Sequence, residues 1–367
     1  MKILSPVRSA EEVLPLIEAG AEELYGGVLA KDWRKKYTNI ASINRREWST
    51  SNIESYEELE EMVAIAHEHK TRLYLTLNAL YTAPQYEQLK EHLERIRSIA
   101  VDALIVADLG LLLTLREMKW HTEIHISTGG TTFNSETARF YHEEFGATRI
   151  VFPRHYSARE IVELSGKIDF MDKEAFVFNA GCKNIDGFCT YQHGVNEIVH
   201  KGSWQLPKML GVDQAFYKSL RTLSPKTAVK ITRALGGSPD SACLLNYDIA
   251  IRHGSGNREE ERAAIEWLES AFNVYSGLDP CGACDFYQFY KAGLVSAKIV
   301  GRENPTWKKI RDVTYLKSVL DHLKTEPSEE EFIKYCMSQY KRVIGMDCLE
   351  WCYYPKARKP QNEQVTA

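Results

Sequence analysis

The chain has 367 residues, of which 44% are hydrophobic and 26% charged, with a formal charge of −4. This balance excludes a disordered, collagen-like or coiled-coil chain, and no run approaches eighteen uninterrupted apolar residues, so no membrane insertion is expected. A pI of about 6.3 argues against broad electrostatic binding to nucleic acid but leaves room for a local basic groove.

The opening Met1–Pro6 reads as a short strand and turn rather than a secretory leader, so the expected location is the cytoplasm. Lys2–Leu4 is the strand. Ser9 then stands as a helix N-cap with Glu11 and Glu12 in the first turn, and this helix ends at Gly20. A strand and turn follow at 23–27. Residues 31–51, rich in Trp, Arg, Tyr and Asn, interrupt the rhythm and read as an ordered loop over a site. Within 56–69, Leu59, Met62, Val63 and Ala66 fall on one helical face. The alternation then runs strand 72–77, helix 85–99, strand 103–107, helix 111–118, strand 123–127, helix 135–145, strand 149–152, helix 158–164 and strand 174–178. After a helix at 285–292, an eighth strand is expected at 296–300.

Every crossover is long enough for a helix, which is the grammar of parallel strands. Helix ends punctuated by Gly20, Gly146 and Gly293, each followed closely by a strand, form a weak repeat that favours a closed (β/α)8 TIM-barrel-like fold over an open sheet. The barrel is expected to occupy 1–305, with an insertion at about 190–277 before the last strand. A helical, cysteine-bearing extension (306–355) and a polar, flexible tail (356–367) complete the chain.

In such barrels chemistry gathers where strands end. That rule selects Tyr25, Asn78, Asp108, Ser127, Arg154, His155, Asn179 and Arg302. Lys31, Arg34, Lys35, Lys36, Arg45 and Arg46 form a basic patch, either a solvated loop or a place for an anion or an RNA backbone. His121 and His125 lie about 13 Å apart if on a strand, too far for a shared metal. No dinucleotide fingerprint, P-loop, H-E-x-x-H or G-x-S-x-G motif occurs. Eight cysteines are the unusual count. In a reducing compartment clustered thiols serve metals or chemistry more than disulfides, although a free cysteine is also a small core hydrophobe. Cys182 and Cys189 sit six residues apart after strand seven, and Cys281 and Cys284 form a C-x-x-C pair; these spacings suit zinc and iron–sulfur alike.

The segments Ala19–Gly27, Thr76–Asn78, Ser127–Thr128 with Asn134–Ser135, and Lys298–Arg302 together resemble the U32 family, historically called collagenase-like peptidases. Most specific is Glu174–Phe176 followed by Cys182, Gly187 and Cys189, which is similar to that family's signature. The resemblance implies a barrel-like core and a four-cysteine [4Fe–4S] cluster, with zinc as the alternative occupant. It also implies oxygen-independent hydroxylation of a tRNA uridine with prephenate as oxygen donor, of an rRNA cytidine, or of a ubiquinone precursor by a pair of U32 proteins. By this resemblance Cys182 and Cys189 are the first two ligands and Cys281 the fourth; Cys243, lying between them, is taken as the third. His155 and Val300 stand where the family often has glutamates, which makes His155 a candidate proton carrier.

Arg154 and Arg302 would hold an anionic group, while Tyr25, Asn78, Ser127 and Asn179 would contact the substrate, a small molecule or an RNA base. Cys284, Cys336, Cys348 and Cys352 are left over, sufficient for a second metal site or equally for packing. Two other functions stay open: a U32-type peptidase, and a non-catalytic cluster-bearing subunit of a paralogous U32 partner.

Overall fold

Eight strands pair only in parallel and in chain order, and the eighth closes on the first. The structure is a computed structural model and describes residues 1–37, 42–46, 51–179, 186–187, 257, 259–260, 280–348 and 352–354. The strands are β1 Lys2–Pro6, β2 Glu23–Gly26, β3 Arg72–Leu77, β4 Ala103–Val106, β5 Glu123–Ile126, β6 Arg149–Val151, β7 Asp172–Phe178 and β8 Ser296–Ile299. Each begins and ends within two residues of its expected position. The (β/α)8 fold is therefore as the alternation predicts.

The described helices are α1 Ala10–Glu18, α2 Lys31–Lys36, α3 Tyr56–Glu68, α4 Tyr86–Arg97, α5 Leu109–Glu117, α6 Ser135–Phe145, α7 Ala158–Ser165, α8 Phe286–Lys291, α9 Thr306–Leu323 and α10 Glu329–Ile344. Several start where a side chain takes up an orphan N–H: Ser55 accepts from Glu58, Asn134 from Thr137, Ser157 from Glu160 and Ser328 from Glu331. Ser9 has the backbone of an N-cap, but its side chain makes no capping bond. Helix α2 lies inside the stretch expected to be a loop. Its six residues carry no helical periodicity; what holds it is the fully buried Trp33 ring, 4.8 Å from Tyr37 and 5.8 Å from Tyr81 between centroids. The insertion, apart from residues 257 and 259–260, and the tail lie outside the described residues.

Because side chains alternate across a strand, every second residue of each strand points into the barrel. The outward set, such as Leu73, Leu75 and Leu77 of β3, joins the helices in the main apolar core. The inward set is largely polar. In its middle layer Glu23 accepts two hydrogen bonds from the Arg149 guanidinium (2.9 and 3.0 Å), and others from the Tyr74 and Ser296 hydroxyls (2.7 and 2.8 Å). Arg149 also faces Glu174 at 3.4 Å, and Lys298 donates to Glu174 at 2.8 Å. Desolvation works to raise the Glu23 carboxyl, but Arg149 overcomes it and holds the group at about 2. This buried charge layer is the floor on which the next layer rests.

Candidate active-site cleft

The last inward residues before the strands end form a ring: Tyr25, Thr76, Ile105, Val151, Phe176 and Lys298. They floor a cleft of about 700 Å³, counted to its open mouth, at the C-terminal end of the barrel. Loop residues Asn44, Arg45, Arg46, Asn78, Arg154 and Arg302 rise around it. Five of these lining groups are cationic, and no described lining residue is an Asp or Glu. A cleft of one sign concentrates ligands of the other.

Arg302 is 6% exposed and is held in a fixed fork: it donates to Thr76 Oγ1 (3.1 Å), to the Asn44 carbonyl (3.3 Å) and to Asn44 Oδ1 (3.2 Å). Asn44 is itself fixed, donating to Val28 O at 3.0 Å and Asn52 Oδ1 at 2.8 Å. This approach requires glycine at 27, where a Cβ would lie 2.3 Å from Arg302 Nη1, 2.5 Å from Asn44 Nδ2 and 2.6 Å from Thr76 Oγ1. Arg154 is gripped by the buried Asp186, whose Oδ2 accepts from its backbone N–H (2.8 Å) and whose Oδ1 accepts from its Nε (3.1 Å). Burial works to raise the Asp186 carboxyl, but Arg154 brings it below its ordinary value. Burial also lowers the Lys298 ammonium against the pull of Glu174. That ammonium sits 4.3 Å from the Tyr25 ring centre and 5.5 Å from that of Phe176. The Tyr25 hydroxyl donates to Ile299 O at 2.8 Å, and burial pushes its pKa up, so the phenol stays neutral.

Tyr25, Asn78, Ser127, Arg154 and Arg302 thus come together as expected. The Asn78 amide N–H2 reaches Ser127 Oγ at 3.4 Å, while its Oδ1 is buried with no hydrogen-bond partner among the described residues. Two expected members do not join. The Asn179 side chain is 2% exposed and turned to α9, donating to Asp312 (2.9 Å) and Val300 O (3.2 Å) and accepting from Lys308 (2.7 Å). It locks the end of β7 instead of meeting substrate. His155 is not among the lining residues; its ring packs edge-on against Phe133 and Tyr156, at 5.2 and 4.9 Å. Asp108 caps α5, accepting from Leu111 N–H at 2.8 Å and also from the Tyr86 hydroxyl. Of the basic patch, Arg45 and Arg46 line the cleft, whereas Lys31 pairs with Glu54 at the surface.

Period-two parity also exposes residues that strand-end reasoning leaves out: Thr76, Ile105, Val151 and Phe176 lie inside the strands.

Cys182, Cys189 and Cys243 lie outside the described residues. Cys281 is placed beside the end of β7: it bridges to Phe178, and the Asn179 N–H donates to Pro280 O at 3.1 Å. Burial raises its thiol pKa. Among the described residues no group of three or more Cys, His, Asp or Glu side chains stands ready to hold a metal ion.

The protein is a closed (β/α)8 barrel with a basic cleft at the C-terminal ends of its strands. The family model described as "Peptidase family U32" matches residues 8–202, and the chain belongs to that family. Among curated relatives, "tRNA hydroxylation protein P" of Helicobacter pylori is 25% identical over 189 residues, 52% of this chain and 42% of the relative. The 23S rRNA 5-hydroxycytidine synthase of Escherichia coli is 27% identical over 194 residues, 53% of this chain and 26% of its own. An "Uncharacterized protease" of Methanocaldococcus jannaschii is 28% identical, covering 52% of this chain and 43% of that protein. The chain thus spans less than half the length of these relatives. The solved structure of a U32 peptidase superposes with a TM-score of 0.38 at 13% identity, over 50% of this chain and 70% of that one.

Proposed function

We propose that this protein hydroxylates a base of an RNA without molecular oxygen, binding the base in the strand-end cleft beside a [4Fe–4S] cluster held by Cys182, Cys189, Cys243 and Cys281. The observation that carries the cleft's part is the unpartnered Asn78 Oδ1 set among arginines and aromatic rings. A buried acceptor without a donor is costly unless a ligand N–H completes it, and a pyrimidine offers one on its pairing edge. Tyr25 and Phe176 supply apolar ring surface for the base, and Arg45, Arg46 and Arg302 attract phosphate or carboxylate. The relatives named for tRNA and rRNA hydroxylation support the substrate class.

The position of Cys281 against the β7 end, immediately before the Cys182 loop, supports its place in the ligand set, and four thiolates are a common set for this cluster. When bound, the cluster would supply electron transfer near the cleft. The overall change is balanced if a hydroxylated carboxylate of the prephenate type donates the oxygen: R–H + D–OH gives R–OH + D–H, the base carbon losing two electrons and the donor carbon gaining them. Arg302 is fit to bind the donor's carboxylate. Among the described lining residues there is no Cys or His, and so no Cys–His pair of the kind a cysteine peptidase uses.

The test is mass spectrometry of nucleosides from tRNA and rRNA of cells lacking the gene, combined with iron and sulfide analysis of anaerobically purified protein. One hydroxylated pyrimidine should disappear and return with the wild-type gene. An unchanged nucleoside profile overturns the substrate class; a colourless protein with stoichiometric zinc overturns the cluster. Activity of the purified protein alone separates an enzyme from an accessory subunit. Asn78→Ala is expected to lower kcat/KM by roughly 10–100-fold, the worth of about 1–3 kcal/mol for one buried polar contact. Unchanged kinetics would remove Asn78 from the site.

A further inference from the structure

One amine on the cleft floor takes no part in holding the base or the donor. Lys298 of β8 is 3% exposed and points inward, where its ammonium donates to Glu174 Oε1 at 2.8 Å. The Tyr25 and Phe176 rings flank it, with centres 4.3 and 5.5 Å away, and β1 presents the apolar Leu4 opposite it. These walls leave the open side of the amine to the cleft.

Proton exchange falls to this group by the chemistry of its neighbours. Among the described lining residues the other ionisable side chains are Arg45, Arg46, Arg154, Arg302 and Tyr25. A guanidinium keeps its proton at any working pH, and burial pushes the Tyr25 phenol further above its ordinary range. Lys298 moves the other way: burial lowers it, Glu174 opposes the shift, and the Arg149 and Arg302 charges add to it. A buried lysine is the cation that gives up its proton most readily. The surrounding pairs also allow the proton to leave. Glu174 accepts from Arg149 as well, at 3.4 Å, so its carboxylate keeps a cationic partner when the amine is neutral. Arg149 in turn is anchored on Glu23 at 2.9 and 3.0 Å and stays in place.

We propose that Lys298 is the proton carrier of the cleft: as a neutral amine it accepts a proton from the bound ligand, and as an ammonium it returns one, with Glu174 positioning its Nζ. In the exchange of R–H and D–OH for R–OH and D–H, the base carbon gives up one proton and the donor carbon takes up one. A single lysine that receives and returns it leaves the balance of atoms and electrons unchanged. Which proton is moved rests on the function proposed above; the assignment of proton exchange to Lys298 does not.

The first test uses the unmutated full-length protein. Acetylation by acetic anhydride across a pH series, read by peptide mass spectrometry, should give Lys298 a lower midpoint than the exposed Lys31 and Lys334. A midpoint equal to theirs or above overturns the inference, as does an amine unreactive at every pH, which would be out of reach from the cleft. The second test is Lys298→Arg, which keeps the charge beside Glu174 but cannot release its proton. Wild-type turnover should rise with pH as the amine becomes neutral. In Lys298→Arg that acid limb should vanish, and kcat for hydroxylated-nucleoside formation should fall by roughly 100–10,000-fold with KM little changed. Wild-type kcat and pH profile in Lys298→Arg overturn the inference while leaving the proposed function intact. Conversely, a nucleoside profile independent of the gene, with Lys298 still titrating below the exposed lysines, overturns the proposed function and upholds the proton assignment.

Discussion

Glu23→Ala is expected to destabilise the barrel by about 3–5 kcal/mol, the usual cost of removing one partner from a buried ion pair. Arg149 would keep Glu174 and Asp172, each at 3.4 Å, but would lose its two shortest bonds, and the Tyr74 and Ser296 hydroxyls would lose their acceptor. Urea unfolding should show the loss, and Tm should fall on the order of 10 °C. The same group sets an acid limb. Its folded pKa of about 2 lies below the ordinary glutamate value of 4.5, so its stabilisation is complete above pH 4.5 and is lost as pH falls towards 2. The shift corresponds to about 3 kcal/mol. Glu23→Gln, which keeps the shape and cannot titrate, should flatten that limb. A Glu23→Ala cost below about 1 kcal/mol, or an unchanged acid limb in Glu23→Gln, would show that the layer is dispensable.

Gly27→Ala should disable the cleft while leaving the barrel folded. The added methyl meets three side-chain ends at once, Arg302, Asn44 and Thr76, and these are bonded to one another, so none can yield without breaking the fork. Overpacking of this kind costs about 1–3 kcal/mol in stability. The larger effect is on function, because displacing a positioning guanidinium by about 1 Å can cost roughly 100-fold in rate. Hydroxylated-nucleoside formation should fall by that order while circular dichroism stays native. Arg302→Lys should fare almost as badly as Gly27→Ala, because an ammonium cannot reproduce a planar fork to three acceptors. Wild-type turnover in Gly27→Ala would separate Arg302 from the chemistry.

The eight strands were legible because each carries an apolar face at period two and is separated from the next by a stretch long enough for a helix. Their order needed no further information, since crossovers of that length keep neighbours parallel. The cleft was half legible. Strand ends pointed to Tyr25, Asn78, Ser127, Arg154 and Arg302, but a strand end does not reveal which way the next residue turns. His155 follows Arg154 directly, yet its ring goes to Phe133 and Tyr156. Asn179 sits at the right height on β7 but is claimed by Lys308 and Asp312 of α9, a contact across some 130 positions that no local pattern announces. Trp33 shows the converse: one aromatic ring, once buried, makes a short helix where periodicity has nothing to say.

The ladder in which Cys281 lies between Phe178 and Cys352 has a consequence for biosynthesis. All eight strands have been translated once Ile299 emerges, so the barrel is able to close while later codons are still being read. At roughly 5–20 residues per second, Cys352 follows only seconds later. During that interval Cys281 and Cys284 have no cover from Cys336, Cys348 or Cys352, and these thiols are most open to oxidation. A ribosome paused after Ile299 has emerged and before Cys336 has would therefore hold a finished barrel with an unfinished thiol pocket.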